Sequence, residues 1–156
     1  MACREQPKAA MNAAVLVVRV VLGGLLLATG ALKIGHPADL AAAIAGFRLL
    51  PDAIVGPLAL ALPYIELLLG AYVLVGLFTR AAAIVACVQF VIYAAAIASA
   101  VLRHIPANCG CFGPHDVAVA DWPHVTFDLG LALLSAFVAY GAPGAFAIDR
   151  RLRTPS

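Results

Sequence analysis

The chain has 156 residues, of which 64% are hydrophobic and 12% charged, with a formal net charge of +2. This balance lies far outside the range of a soluble globular domain and points to a polytopic membrane protein. The positive charge is small and scattered, with no basic stripe or interleaved aromatic platform, which sets nucleic-acid binding aside.

Residues 1–11 are polar, carrying Arg4, Glu5 and Lys8. An apolar run over about residues 12–34 follows, long enough to cross a bilayer core of roughly 30 Å. The basic front and the small residues Ala28-Thr29-Gly30 also fit a secretory signal peptide. The run is longer than the roughly 7 to 15 residues of such a segment and contains Arg19, so a retained helix is expected. After His36-Pro37, the residues Leu40, Ile44 and Phe47 recur at helical spacing until Leu50-Pro51, the pattern of a short helix lying along the membrane surface. Further spans are expected over about residues 57–78, 81–102 and 122–142, with a turn at Thr79-Arg80 and a longer loop over residues 103–121. The expected fold is an all-α membrane protein: one domain over residues 1–156, built as a four-transmembrane-helix bundle with a short interfacial helix between the first two spans.

The two termini and the 79–80 turn share one side of this bundle and hold Arg4, Lys8, Arg80, Arg150, Arg151 and Arg153. The opposite side holds Lys33, Arg48 and Arg103. The positive-inside rule therefore puts both termini in the cytoplasm and the 103–121 loop outside, where disulfides form and persist.

That loop carries Asn108-Cys109-Gly110-Cys111-Phe112-Gly113. Cysteines two positions apart can close a small ring that departs from relaxed disulfide geometry and is readily reduced, which makes it a good oxidant. Gly110 relieves crowding between the sulfurs, and Gly113 permits a tight turn after Phe112. The plain alternative is a structural bridge, although a ring this local removes little chain entropy. Soft-metal capture by Cys109 and Cys111 with His104 or His115 is a further reading, but two thiols in a flexible loop do not make a closed site, and no metal is expected. Cys87 sits within the third span and reads as an inert small residue; Cys3 lies on the reducing side.

Arg19, Gly23, Gly30 and Lys33 in the first span, Leu49-Leu50-Pro51 before the second, Leu62-Pro63, Glu66 and Gly70 within it, and Cys109-Gly110-Cys111-Phe112-Gly113 after the third form a set over about residues 15–134 that resembles the MauE branch of the DoxX-like membrane proteins. The resemblance implies a four-helix protein of the cytoplasmic membrane, named from methylamine utilisation and associated with disulfide formation in exported partners. It implies Cys109 and Cys111 as the redox pair of a thiol-disulfide oxidoreductase. The expected partner is an exported thioredoxin-fold or other cysteine-containing protein, and the expected electron acceptor a membrane quinone. A non-enzymatic membrane module, either a soft-metal carrier or an assembly factor for an exported protein, is the reading from a different class.

Charged residues within spans mark a site in their own right, because an ionisable group in hydrocarbon costs on the order of 3 kcal/mol or more. Arg19, Gly23, Leu26, Gly30 and Lys33 step by three and four and share one helix face. Counting depth along the helices pairs Glu66 with Arg19, while a tilted first helix would pair it with Lys33 instead. Asp128, about one turn below the outer surface, reads as a cap or an interfacial partner within reach of Arg103. Lys33, His124 or Asp128 would handle protons, or polarise a quinone carbonyl, when the dithiol is reoxidised. Tyr64, Tyr72, Tyr93 and Gln89 read as packing or interhelical contacts.

Overall fold

The computed structural model describes residues 6–108, 110 and 118–149. They form five helices: α1 (Gln6–Lys33), α2 (Pro37–Gly46), α3 (Asp52–Val75), α4 (Thr79–Leu102) and α5 (Trp122–Gly141). All but α2 are long and apolar enough to cross a membrane, with mean hydropathy between 1.4 and 2.3, and the chain is a multi-pass membrane protein. Its exposure pattern is that of a protein dissolved in lipid. Leu60, Leu133 and Val17 face outward, while Arg19, Lys33, Glu66 and Asp128 are buried.

The chain packs as two antiparallel pairs, α1 with α3 and α4 with α5. Glycine makes the first pair possible. A Cβ on Gly23 would stand 2.9 Å from the Gly70 carbonyl oxygen, and one on Gly30 would stand 2.9 Å from that of Pro63. The two backbones therefore touch where small residues face each other. The same contacts fix the register of the pair: going up α1 from Gly23 to Gly30 corresponds to going down α3 from Gly70 to Pro63.

Helix ends differ from the sequence expectation at the start of α1, at Gln6 rather than near residue 12, at the start of α4, which takes in the expected turn at Thr79-Arg80, and at both ends of α3. It begins at Asp52 rather than near residue 57, because Pro51 takes an extended N-cap conformation and its carbonyl already accepts from Ile54 N at 2.9 Å. Pro57 is absorbed inside the helix. The helix ends at Val75 rather than at residue 78, because Gly76 takes a left-handed conformation (φ +74°) and Leu77 N closes the turn onto the Tyr72 carbonyl at 3.1 Å.

This C-terminal end leaves the carbonyls of Val73 and Leu74 without helical donors, and Arg19 supplies them. Its Nε donates to Val73 O at 2.9 Å and Nη2 to Leu74 O at 3.0 Å, while Nη1 donates to Pro143 O at 3.0 Å and Ala145 O at 3.2 Å, beyond the end of α5. A guanidinium is suited to this work: its planar fork offers five donors, and its charge is favourable at a helix C-terminus. Beside it, the Asp149 carboxylate accepts from the backbone N–H groups of Phe78 and Thr79 at 2.8 and 2.7 Å, and from the Thr79 hydroxyl at 2.8 Å, which caps α4. One end of the bundle is thereby tied together by polar contacts among α1, α3, α4 and the segment after α5.

At the other end, Ala107 and Ala120 are buried against Ala94, Ile97, Ala100 and Val125. Asn108 pairs with Val119 in an antiparallel bridge, and Ala120 N donates to Ala107 O at 2.9 Å, so the long loop has a closed neck. Arg103 donates to the carbonyls of Ser99, Arg48 and Phe47, joining the end of α4 to that of α2.

Replacing Arg19 tests the capping role. Arg19→Ala leaves buried carbonyls without donors, each costing roughly 1–3 kcal/mol, and is expected to lower the thermal midpoint of detergent-solubilised protein sharply. Arg19→Lys keeps the charge but not the fork, and should recover only part of the loss; a lysine variant as stable as the parent would show that the charge alone suffices. Gly70→Leu forces apart two backbones in contact and should destabilise the fold by about 1–3 kcal/mol in the same assay.

Candidate functional site

Where α1 meets α3, toward the neck end of the bundle, Lys33 Nζ donates to both oxygens of Glu66, at 2.7 and 2.9 Å. The side chains are 4% and 1% exposed, so this is a buried, bidentate ion pair. It corrects the pairing of Glu66 with Arg19. The register explains why: Glu66 lies level with Leu27, from which Lys33 is six residues away and Arg19 eight, or about 9 Å against about 12 Å of helix rise. Direction decides further. Helical side chains lean toward the N-terminus of their own helix. In an antiparallel pair, Lys33 and Glu66 lean toward each other and Arg19 leans away.

The ion pair is completed from α4. Tyr93 donates its hydroxyl to Glu66 Oε1 at 2.7 Å, Gln89 Nε2 lies 3.1 Å from the Tyr93 hydroxyl oxygen and 3.5 Å from Glu66 Oε1, and the Lys33 ammonium sits 5.8 Å from the Tyr93 ring centroid. Gln89 and Tyr93, read from the sequence as packing or interhelical contacts, make interhelical contacts to Glu66 and are members of the site. Their signal was present: two polar residues four apart on one face of an otherwise apolar helix.

Two large cavities open beside this cluster. One, of about 410 Å³, is almost wholly apolar, bounded by α2, α3 and α4, with Lys33, Gln89 and Tyr93 as its polar wall. The other, of about 340 Å³, is more polar and is bordered by His36, Asp39, Asn108 and Lys33. Gly110 lines both. It takes a left-handed conformation (φ +62°), and a Cβ there would lie 3.0 Å from that of Ala43 on α2, so the centre of the Cys-Gly-Cys segment rests on the interfacial helix. Cys109, Cys111, Phe112, Gly113 and His115 lie outside the described residues, as do Arg4, Arg150, Arg151 and Arg153.

Asp128 is 5% exposed and shares a third, small cavity with Lys33, Glu66 and Tyr93. It is neither a cap nor a partner of Arg103, whose donors are taken by carbonyls of α2 and α4. The cap of α5 is Asp121, which accepts from the backbone N–H of His124 at 3.1 Å and faces the His124 ring Nδ1 at 2.5 Å. The hydrogen bond from that ring, then the one from the backbone, hold the Asp121 carboxyl below its ordinary range. His124 thus stands at the neck end of α5, partly exposed, and the structure places it apart from the Lys33 and Glu66 cluster but on the same helix as Asp128. Arg19 is at the other end of the bundle and belongs to the fold rather than to this cluster.

The family model for methylamine utilisation protein MauE matches residues 11–141. The chain is also 31% identical to the methylamine utilization protein MauE of Paracoccus denitrificans over 129 residues, which cover 82% of this chain and 69% of that protein. No solved structure matches. With a match running from the first turns of α1 to the last residue of α5, this chain belongs to the MauE family of methylamine utilisation proteins.

Proposed function

We propose that this protein is a membrane thiol-disulfide oxidoreductase that takes electrons from the dithiol of an exported protein through Cys109 and Cys111 and passes them to a membrane quinone. One observation carries the reading. The residue between the two cysteines lines an apolar cavity that is bounded by helices of the membrane bundle and walled on one side by a lysine, a tyrosine and a glutamine. Its volume falls within the roughly 300–1,000 Å³ of small-molecule sites, and an apolar lining with a few convergent polar groups is what such a ligand needs. A quinone bound there would supply a two-electron acceptor.

The protein's own part divides in two. At the outer surface, a partner thiolate attacks one sulfur of the Cys109-Cys111 disulfide, a mixed disulfide forms, and the partner's second thiol resolves it, leaving the partner oxidised and this pair as two thiols. The more polar cavity beside Gly110 offers His36, Asp39 and Asn108 to the partner's polypeptide. Within the bundle, the Lys33 ammonium is positioned to donate a hydrogen bond to an acceptor oxygen in the apolar cavity, while Glu66, held by Tyr93 and Gln89, orients it. Reoxidation of the thiols restores the disulfide and delivers two electrons and two protons to the acceptor. The basic residues of the termini and Arg80, in the first turn of α4, support a cytoplasmic placement of both ends in the inner membrane, and the family name supports methylamine utilisation as the process served.

Thiol alkylation of membranes checks the relay. Depleting quinone should make Cys109 and Cys111 accumulate as thiols, and a pair that stays oxidised whatever the quinone and reductant is structural. Serine at either position should abolish turnover. For the ion pair, Lys33→Met strands the Glu66 carboxylate, and breaking a buried pair costs roughly 3–5 kcal/mol. The double variant Lys33→Met, Glu66→Gln should be markedly more stable than Lys33→Met alone, yet reduce quinone far more slowly than the parent while still exchanging disulfides with a soluble dithiol.

A further inference from the structure

The Lys33 and Glu66 pair has a second neighbour that the redox reading does not use. On the side of the pair facing α5 lies a cavity of about 30 Å³, lined among others by Thr29 and Lys33 of α1, Glu66 of α3, Tyr93 of α4 and Asp128 of α5. Among the described residues, Asp128 Oδ2 is the buried side-chain oxygen with no hydrogen-bond partner. A carboxyl placed so deep in a membrane protein without a protein donor is costly unless water or a proton satisfies it. The cavity exceeds the roughly 10–15 Å³ that one water requires, and its lining supplies the polar partners that such a water needs. Lys33 and Tyr93 line this small cavity as well as the large apolar one, so they form a partition between the two. Four residues before Asp128 on the same helix, and hence on the same face, His124 stands at the neck end of α5 beside Asp121.

We infer that Asp128 is a proton-relay residue, exchanging protons with the Lys33 and Glu66 pair through water held in their shared cavity, and with the outer surface past His124. This rests on the proposed quinone reduction. When Lys33 gives a proton to the acceptor oxygen, its N–H bond breaks and a neutral amine remains. The Asp128 carboxyl then passes its own proton through the water to that amine, which becomes ammonium again, and Asp128 becomes carboxylate. One of the two protons that Cys109 and Cys111 release on closing their disulfide enters past His124 and returns Asp128 to the acid, and the acceptor takes the other directly, so two electrons and two protons are accounted for. The ionisable groups facing the relay are Lys33, Glu66 and Tyr93 from the packed helices, with His124 and Asp121 on its own.

Asp128→Asn keeps the shape and removes the exchangeable proton. In full-length protein reconstituted in lipid nanodiscs, reduction of the Cys109-Cys111 pair by dithiothreitol should be unchanged. Formation of quinol from a short-chain ubiquinone should fall about 100-fold, the scale of general acid–base catalysis, and should lose its pH dependence; Asp128→Glu should restore much of both. Infrared difference spectra provide a readout independent of quinone. The parent should show a protonated carboxyl C=O band that is absent in Asp128→Asn and displaced in the Lys33→Met, Glu66→Gln double variant. An asparagine variant with parental rate and pH profile, or a parent with no such band, overturns the relay. A parent that forms no quinol overturns the oxidoreductase reading, and the infrared bands alone then decide for or against proton exchange at Asp128.

Discussion

The backbone contact between α1 and α3 governs the rest of this molecule. Gly23 against Gly70 and Gly30 against Pro63 leave no room for sliding, because a shift along the helices would bring side chains into a space where a single Cβ is already too close. Once this register is set, the fate of each buried charge follows. Arg19 arrives at the C-terminal end of α3, where bare carbonyls wait for donors, and Lys33 arrives above Glu66. Gly23 and Gly30 of α1, set against Gly70 and Pro63 of α3, thus determine which cation is structural and which belongs to the site.

The two cations solve the same problem by different means. Arg19 is compensated by partial charges: four carbonyl oxygens and the negative ends of helices, contacts that a planar fork meets well. Lys33 is compensated by a full carboxylate, itself held by a tyrosine hydroxyl. The first arrangement commits four of the guanidinium's five donors to fixed carbonyls. The second holds a carboxylate, an ammonium and a hydroxyl within hydrogen-bonding reach, beside cavities on either side, which is a composition suited to moving protons.

Much of this architecture was legible in the sequence because hydrophobic length and charge exclusion are strong signals in membrane chains. The long spans, the short helix after His36-Pro37, and the inward face carrying Arg19, Gly23, Leu26, Gly30 and Lys33 all follow from them. The ends of α3 did not, since two prolines competed for its start and only the left-handed Gly76 revealed its finish. The ion pair was assigned to the wrong cation because depth was counted at Cα positions, and the lean of side chains along their helices was left out. Gln89 and Tyr93 were legible as packing or interhelical contacts but not as partners of Glu66, because only the fold brings that carboxylate of another helix to them.

The knot of Arg19, Gly76, Thr79 and Asp149 closes one end of the bundle with hydrogen bonds, while both large cavities lie toward the other end, around Gly110. The described bundle is therefore one-sided, with its large cavities away from the knot. On the proposed reading, the direction of insertion decides which compartment meets them, and basic residues such as Arg80 at the knot end would set it. With that charge balance inverted, the same cavities would face a reducing pool, where the proposed disulfide would have no lasting customers.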